Sequence, residues 1–424
     1  MKLRILASIL FLSTQQVFAQ NCNKGDDLSQ TPGKFVDAAH CEWPQQKAHW
    51  FDQLQTAANK ALATRMLTQI ETLEKESRKN FILKGGVLKT SFGTPSNAKI
   101  PYGDKSLFSY DLNLGYHEYF CINNKVKING EYSIVFRAYV NRFTGIESAF
   151  RFSEDYPYYE TYNKYNGRFI ALCNFIKEDD IKTINNGKGY YQDIPESSVK
   201  PGDRNTFITR HWYFTKPGVL LFVPVTRKEY LAALLEYYDR EAMYTANKIK
   251  EIETECAGMM KDPAKYPQLY ENGKRNLIVK KAKYPDWQKK IELKKAIVQK
   301  ALKENTAEWL SKPAIVKAKT QTFSWKNYYG NGANDFANVE VNFADTPEDA
   351  QKTGSFTFSG FWDNKGGVTL YKYNPEYFKG AETNPVKPRF IELAYRYINT
   401  PAGKSLVENF TNNFNFDGVR NMLE

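Results

Sequence analysis

From Pro44 to Lys79 the apolar residues return every three or four positions. Phe51, Leu54, Ala58, Leu62, Met66, Ile70 and Leu73 form one stripe, with Lys, Gln and Glu between them. That period predicts an amphipathic helix. From Phe81 to Val225 the period falls to two, the signature of strands. The clearest is "EYSIVFRAYVNRF", in which Tyr132, Ile134, Phe136, Ala138 and Val140 point one way while Ser133, Arg137 and Asn141 point the other. Asn129-Gly130 just before it reads as a hairpin turn, and face matching asks for a bulge or three-residue loop there. "RFIALCNFI" (168–176) is continuously apolar and reads as a central strand.

The stretch "RHWYFTKPGVLLFVPVTRKEYLAALLEYYDRE" (210–241) combines several of these signals. It predicts a strand, a Pro217-Gly218 turn, a returning strand ending at Pro224, and then a helix. Thr226 and Glu229 stand at capping-box spacing ahead of an apolar seam through Leu231, Leu235, Tyr238, Ala242, Thr245, Ile249, Ile252 and Cys256. A connection containing Pro263, Pro267 and Pro285 follows, and a second helix is predicted from near Asp286, striped by Trp287, Ile291, Val298, Leu302 and Trp309. Strand texture returns after Ile315. "GSFTFSGFWDNKGGVTLYKYN" reads as a hairpin with its tip at Asp363-Asn364-Lys365-Gly366, and "PRFIELAYRYI" as another strand. Thr400-Pro401 opens a short helix, and Asp417 caps a last turn.

The whole predicts an α+β fold, with antiparallel sheets, segregated helices and a long antiparallel helix hairpin. The expected organisation is a signal peptide at 1–19, an N-terminal segment at 20–43, a helix and antiparallel sheet at 44–225, a helical hairpin at 226–314, and a sheet with short helices at 315–424.

The start of the chain predicts export. Lys2 and Arg4 precede an apolar run from Ile5 to Leu12, and Val17-Phe18-Ala19 suits cleavage after Ala19. That run is shorter than the ~20 residues a membrane-spanning helix needs, so a protein of the periplasm or extracellular space is expected. Cys22 lies near the cleavage point, but Asn21 before it is unsuited to lipoprotein processing. The oxidising destination favours disulfides. Cys22 with Cys41, and Cys121 with Cys173, are the candidate pairs, leaving Cys256 as a buried thiol on the helix seam.

The net charge of +12 is local. Residues 261–320 hold 16 Lys/Arg against 6 Asp/Glu, an excess of 10, and the leader supplies the other 2. This reads as the solvated face of a helix pair, and no nucleic-acid partner is expected.

Chemical motifs are sparse. Phosphate-cradle, nucleophile-elbow, dinucleotide and H-E-x-x-H patterns do not occur, so no cofactor and no metal are expected. Cys22, His40, Cys41 and His49 are irregularly spaced for zinc, and His117 and His211 stand in strands as structural histidines. The one enzymatic candidate is a carboxylate group, Glu154, Asp155 and Glu160, amid Tyr156, Tyr158, Tyr159, Tyr162 and Tyr165. Carboxylates flanked by tyrosines suit glycan hydrolysis or glycan binding. The leading expectation is a non-catalytic envelope protein that offers a Tyr/Asn-rich surface to a peptide, glycan or protein partner. A glycan hydrolase is the alternative.

"HWYFTKPGVLLFVPVTRKEYL" and "NPEYFKG…RFIELAYRYINTPAGKSLVENFTNNFNFDGVRNML" resemble segments that recur in exported proteins of unknown function from certain Gram-negative bacteria. The resemblance covers about a quarter of the chain. It implies export, names no activity and carries over no site residues.

Overall fold

The structure, a computed structural model, describes residues 21–41, 44–102, 105–144, 190–195, 207–326, 333–341, 357–364, 366–398 and 400–423. In chain order the elements are β1 (Lys34–Val36), α1 (Pro44–Ala48), α2 (Ala57–Ser77), β2 (Gly86–Gly93), β3 (Lys99–Tyr102), β4 (Lys105–Phe108), β5 (Tyr110–Ile122), β6 (Lys125–Ile128) and β7 (Ile134–Val140). Then come β8 (Tyr190–Pro195), β9 (Phe207–Thr215), β10 (Phe222–Pro224), α3 (Arg227–Met259), α4 (Pro267–Lys281), α5 (Trp287–Glu304) and α6 (Ala307–Ser311). The last are β11 (Ile315–Val316), β12 (Ala318–Lys326), β13 (Ala333–Val341), β14 (Val368–Thr369), β15 (Tyr371–Tyr373), β16 (Phe390–Ile398), α7 (Pro401–Asn413) and α8 (Phe416–Arg420). The fold is α+β with mostly antiparallel sheets.

The main sheet runs β1-β2-β5-β7-β16-β9-β8, with β6 also on β5. Only the β1–β2 pair is parallel. β16 lies between β7 and β9, so the segment after the helical arm completes a sheet begun before it. The even positions of β5 and β7 and the odd positions of β16 face one way. Leu112, Leu114, Phe136, Ala138, Leu393 and Tyr395 bury there under α2, α7 and α8. Burying each side chain of this kind contributes roughly 1.5–3 kcal/mol. Trp212 and Phe410 meet at this interface with ring centroids 5.4 Å apart.

Several local expectations are corrected. The first helix breaks at residues 49–56, where Phe51 takes a positive φ of 65° and buries with Leu54. Thr56 then caps α2, its hydroxyl accepting from the Asn59 amide at 3.1 Å. The hairpin turn is Asn123-Asn124, with φ of 52° and 55°, not Asn129-Gly130. Two successive positive φ values are what a tight two-residue hairpin needs. β6 and β7 both pair with β5, one after the other, so residues 129–133 bulge out between them. The segment after Pro217-Gly218 does not return along β9. Gly218 turns the chain with φ of 80°, and Leu221 and Phe222 bury in a second core with Tyr371, Tyr373 and Tyr377. Nor do the described residues of 354–374 pair with one another as a hairpin: β14 pairs β11 and β15 pairs β10. Phe358 instead buries in the core at the base of the arm, with Phe361 packed against it. "RFIALCNFI" lies outside the described residues.

Cys22 bonds Cys121 rather than Cys41. Its amide also donates to the Asn124 carbonyl at 3.3 Å, which lays the N-terminal segment beside the β5–β6 hairpin. The bridge closes a loop of 99 residues, worth roughly 4–5 kcal/mol of chain entropy. Cys173 is outside the described residues, and Cys256 is a buried thiol as expected. No helix among the described residues is long and apolar enough to cross a membrane.

α3 opens with the anticipated capping box. Thr226 Oγ1 accepts from the Glu229 amide, and the Glu229 carboxylate accepts from the Thr226 amide at 2.9 Å. The return arm is not one helix: the Pro-containing connection itself folds as α4, and α4 and α5 both pack on α3. Lysines on the outer side of the arm also pair with acids of α3 while staying at least partly exposed. Lys280 meets Glu255 at 2.8 Å, Lys281 meets Glu253 at 2.7 Å, and Lys295 meets Asp239 at 2.8 Å. At the heart of the arm Lys294 Nζ donates to both oxygens of Glu241 at 2.7 Å, the two side chains being 1% and 3% exposed.

Removing one member of such a pair strands the other charge in the interior. Lys294→Met is therefore expected to destabilise the arm by about 3–5 kcal/mol, and Lys294→Met with Glu241→Leu to recover most of the loss. Urea unfolding followed by circular dichroism checks this, and equal loss in the single and double variants would contradict it.

Candidate functional site

The second face of the main sheet is polar. Cross-strand register aligns Asp111, Tyr139, Glu392 and Tyr213 in one row across β5, β7, β16 and β9. The next row holds Asn113, Arg137, Ala394 and His211. Strand periodicity alone puts these groups together, because each sits one residue away from an apolar position that faces the helices.

Glu392 anchors the face. It is 0% exposed. His211 Nδ1 donates to Glu392 Oε1 at 2.6 Å, Thr144 Oγ1 donates to the same oxygen at 2.8 Å, and the Thr144 amide donates to Oε2. A buried carboxylate needs such donors. Thr144 arrives because Asn141, at the end of β7, takes φ of 61° and turns the chain back over the sheet. The Asn141 side chain fixes that turn, donating to the Phe108 and Lys387 carbonyls at 3.1 Å each and accepting from the Arg389 amide at 2.8 Å. The contact with the Glu392 carboxylate requires the proton of this ring on Nδ1. The ring stacks on Tyr213 at 5.9 Å.

Arg137 is half-buried in the neighbouring row. Its Nη1 donates to Tyr139 Oη at 3.1 Å and its Nη2 to Tyr132 Oη at 2.8 Å. These two phenols hold its pKa above the ordinary guanidinium value against the opposing effect of burial. Burial pushes the Asp111 carboxyl up, against the opposing fields of Arg137 and Arg142 and a hydrogen bond from the Asn113 side-chain amide.

A cleft of about 840 Å³ opens at one end of the same sheet. Its walls are Gly25–Gln30, Phe81–Gly85, Tyr116 and Glu118–Cys121 of β5, and the first turns of α7 from Thr400. The Cys22–Cys121 bridge fixes the N-terminal wall to β5. Gly85, at φ of 74°, lets the two other strands meet: its amide donates to the Thr31 carbonyl at 2.7 Å, and its carbonyl accepts from the Tyr119 amide at 2.8 Å. Ile82 is 77% exposed and Phe120 42%. The rim carries Asp26, Asp27 and Glu118 against Lys84, whose ammonium donates to Gln30 Oε1 at 2.8 Å. The Ser29 amide, donating at 2.8 Å, holds the Asp27 carboxyl below its usual value.

The sequence-based candidates Glu154, Asp155, Glu160, Tyr156, Tyr158, Tyr159, Tyr162 and Tyr165 lie outside the described residues. His211 and His117 are hydrogen-bonded within the sheet, His117 Nδ1 donating to the Asn129 carbonyl at 2.9 Å. The lone acid in "RFIELAYRYI" is the signal that leads to Glu392, and the polar alternates of "YDLNLGYHEYF" lead to Asp111 and Asn113. The cleft left no such signal, because its walls come from four separate stretches of chain.

The His211 ring is expected to carry a proton on Nδ1. Long-range proton–nitrogen NMR of the imidazole reads this directly, and a ring without a proton on Nδ1 would contradict the Glu392 geometry. No family model, curated protein or solved structure matches this chain.

Proposed function

We propose that this is an exported protein of the periplasm or cell envelope that binds without chemistry, holding an apolar, basic peptide segment of a partner in the cleft. The observation that carries the reading is the cleft itself. Its volume lies in the range of ligand sites, its rim presents Ile82 and Phe120 to solvent, and three acids outnumber one lysine there. Apolar side chains exposed beside a rigid, stapled wall offer contact area at little ordering cost. The acids suit attraction rather than proton transfer: Asp27 is held ionised, whereas a general acid near neutral pH needs its carboxyl raised. The Cys22–Cys121 bridge supports an oxidising compartment.

A glycan hydrolase is the second reading, and one observation favours it. Asp111, raised by burial, and Glu392 flank Tyr139 on neighbouring strands, which sets their Cα atoms about 10 Å apart. Against it, both oxygens of Glu392 are already engaged.

A synthetic peptide alternating leucine and lysine is expected to bind saturably by fluorescence anisotropy, and one alternating leucine and glutamate to bind far more weakly. Ile82→Ser with Phe120→Ser is expected to lower the affinity at least ~10-fold, since each removes exposed apolar area that a bound peptide would cover. No binding of either peptide, or binding indifferent to the double variant, would sink the cleft reading. Turnover of purified envelope polysaccharide that vanishes in Asp111→Asn would establish the hydrolase instead.

A further inference from the structure

We propose that α4 is a contact site for an anionic lipid surface, laying Ile278, Val279 and Ala282 against the membrane interface with a ring of cations at the headgroup phosphates. The site does not depend on the cleft, whose walls hold none of these residues.

The argument starts from which way the helix faces. Gly273 is the buried residue of α4, packed against Met259 and Met260 at the end of α3. That contact turns the opposite side of α4 to solvent. Ile278 is 71% exposed there and Val279 57%. Ala282, also exposed, lies one helical turn beyond and neighbours both. Packing on α3 explains why α4 is a helix. It does not explain two adjacent large apolar side chains on the side that α3 does not cover.

The surrounding charges say what covers them. Lys274 and Arg275 stand one turn before the apolar pair, Lys281 and Lys283 one turn after, and all four are exposed. Lys274 meets Glu271 at 3.2 Å and Lys281 meets Glu253 at 2.7 Å, but both are exposed pairs, which hold little. Arg275 and Lys283 make no ion pair among the described residues. Residues 261–290 hold 9 Lys/Arg against 3 Asp/Glu, and counting Glu253 and Glu255 of α3 with them still leaves an excess of 4 cations. A second copy of this face would meet the first with like charge, so self-association through it is disfavoured. One helix face is convex and offers no groove to a peptide. An anionic bilayer suits both parts at once. The apolar centre sinks to the acyl boundary, and the long lysine and arginine stems reach back to the phosphates. The contact lies on the surface, since α4 is 15 residues long and too charged to span.

The test uses the chain from Gln20 onward, so that the apolar run Ile5–Leu12 is not there to bind lipid itself. Co-sedimentation is measured with vesicles of phosphatidylcholine alone and of phosphatidylcholine and phosphatidylglycerol in equal parts. Saturable binding to the anionic vesicles is expected, weakening as salt is raised, with far weaker binding to the neutral ones. Ile278→Ser with Val279→Ser should weaken it at least ~10-fold, since the exposed apolar area is lost without disturbing the buried side of α4. Arg275→Gln with Lys283→Gln should weaken it about 5-fold for each cation removed. Val219→Ser with Leu220→Ser removes exposed apolar area in the turn after β9 and should bind as the parent does. Three results would overturn the site: no preference for the anionic vesicles, affinity unchanged in both α4 double variants, or DNA bound as tightly as the anionic vesicles whether or not Ile278 and Val279 are present.

Discussion

A carboxylate with no exposure to water constrains everything around it, and Glu392 is that group here. Its donors come from two other places in the chain: His211 on β9 and Thr144 beyond the end of β7. β16 therefore cannot slip by one residue between β7 and β9. A slip would send Glu392 into the apolar layer under α7 and strand both donors. The same constraint fixes which face of the sheet meets the helices. It also explains why Asn141 takes a left-handed backbone conformation at the end of β7: only that turn brings Thr144 over the sheet.

The arm uses a related device at a different point. Its entry is set by the Thr226–Glu229 box and its interior by Lys294 and Glu241. Lys372 also reaches Glu229, tying the cap to β15. The buried pair specifies one alignment of α5 on α3, since any other register leaves two charges unpaired in an apolar layer. Hydrophobic seam residues alone would tolerate a shift by one turn.

Local signals survived translation into structure where they depend on neighbours in sequence. Thr226–Glu229 and Thr400-Pro401 are caps, and the period of two in "SIVFRAYV" and "RFIELAYRYI" gave true strands. Pairing was not legible. The strand at 390–398 inserts between two strands more than 170 residues earlier, and nothing in its own pattern names them. The bridge from Cys22 to Cys121 was missed for the same reason: nearness in sequence favoured Cys41, while the fold brings the N-terminal segment beside the β5–β6 hairpin. The Asn129-Gly130 signal was real turn chemistry, but Asn123-Asn124, without a glycine, took the hairpin because asparagine tolerates positive φ. Of the candidate chemistry, the polar alternates were visible and their convergence was not.

Charge shows the same division between counting and placement. The basic excess at 261–320 was the most conspicuous electrostatic feature of the chain. In the fold much of it is met by the acids of α3, as with Lys280 and Glu255, Lys281 and Glu253, Lys294 and Glu241, and Lys295 and Asp239. Those pairs lie along a helix interface and are satisfied there, so they ask nothing of a partner. Arg137 contributes one unit to a strand that looks unremarkable in composition. Its guanidinium donates to two phenols, and the Asp111 carboxyl on the next strand lies within its field. A net charge counted along the chain therefore says little about partners until the fold shows which charges meet.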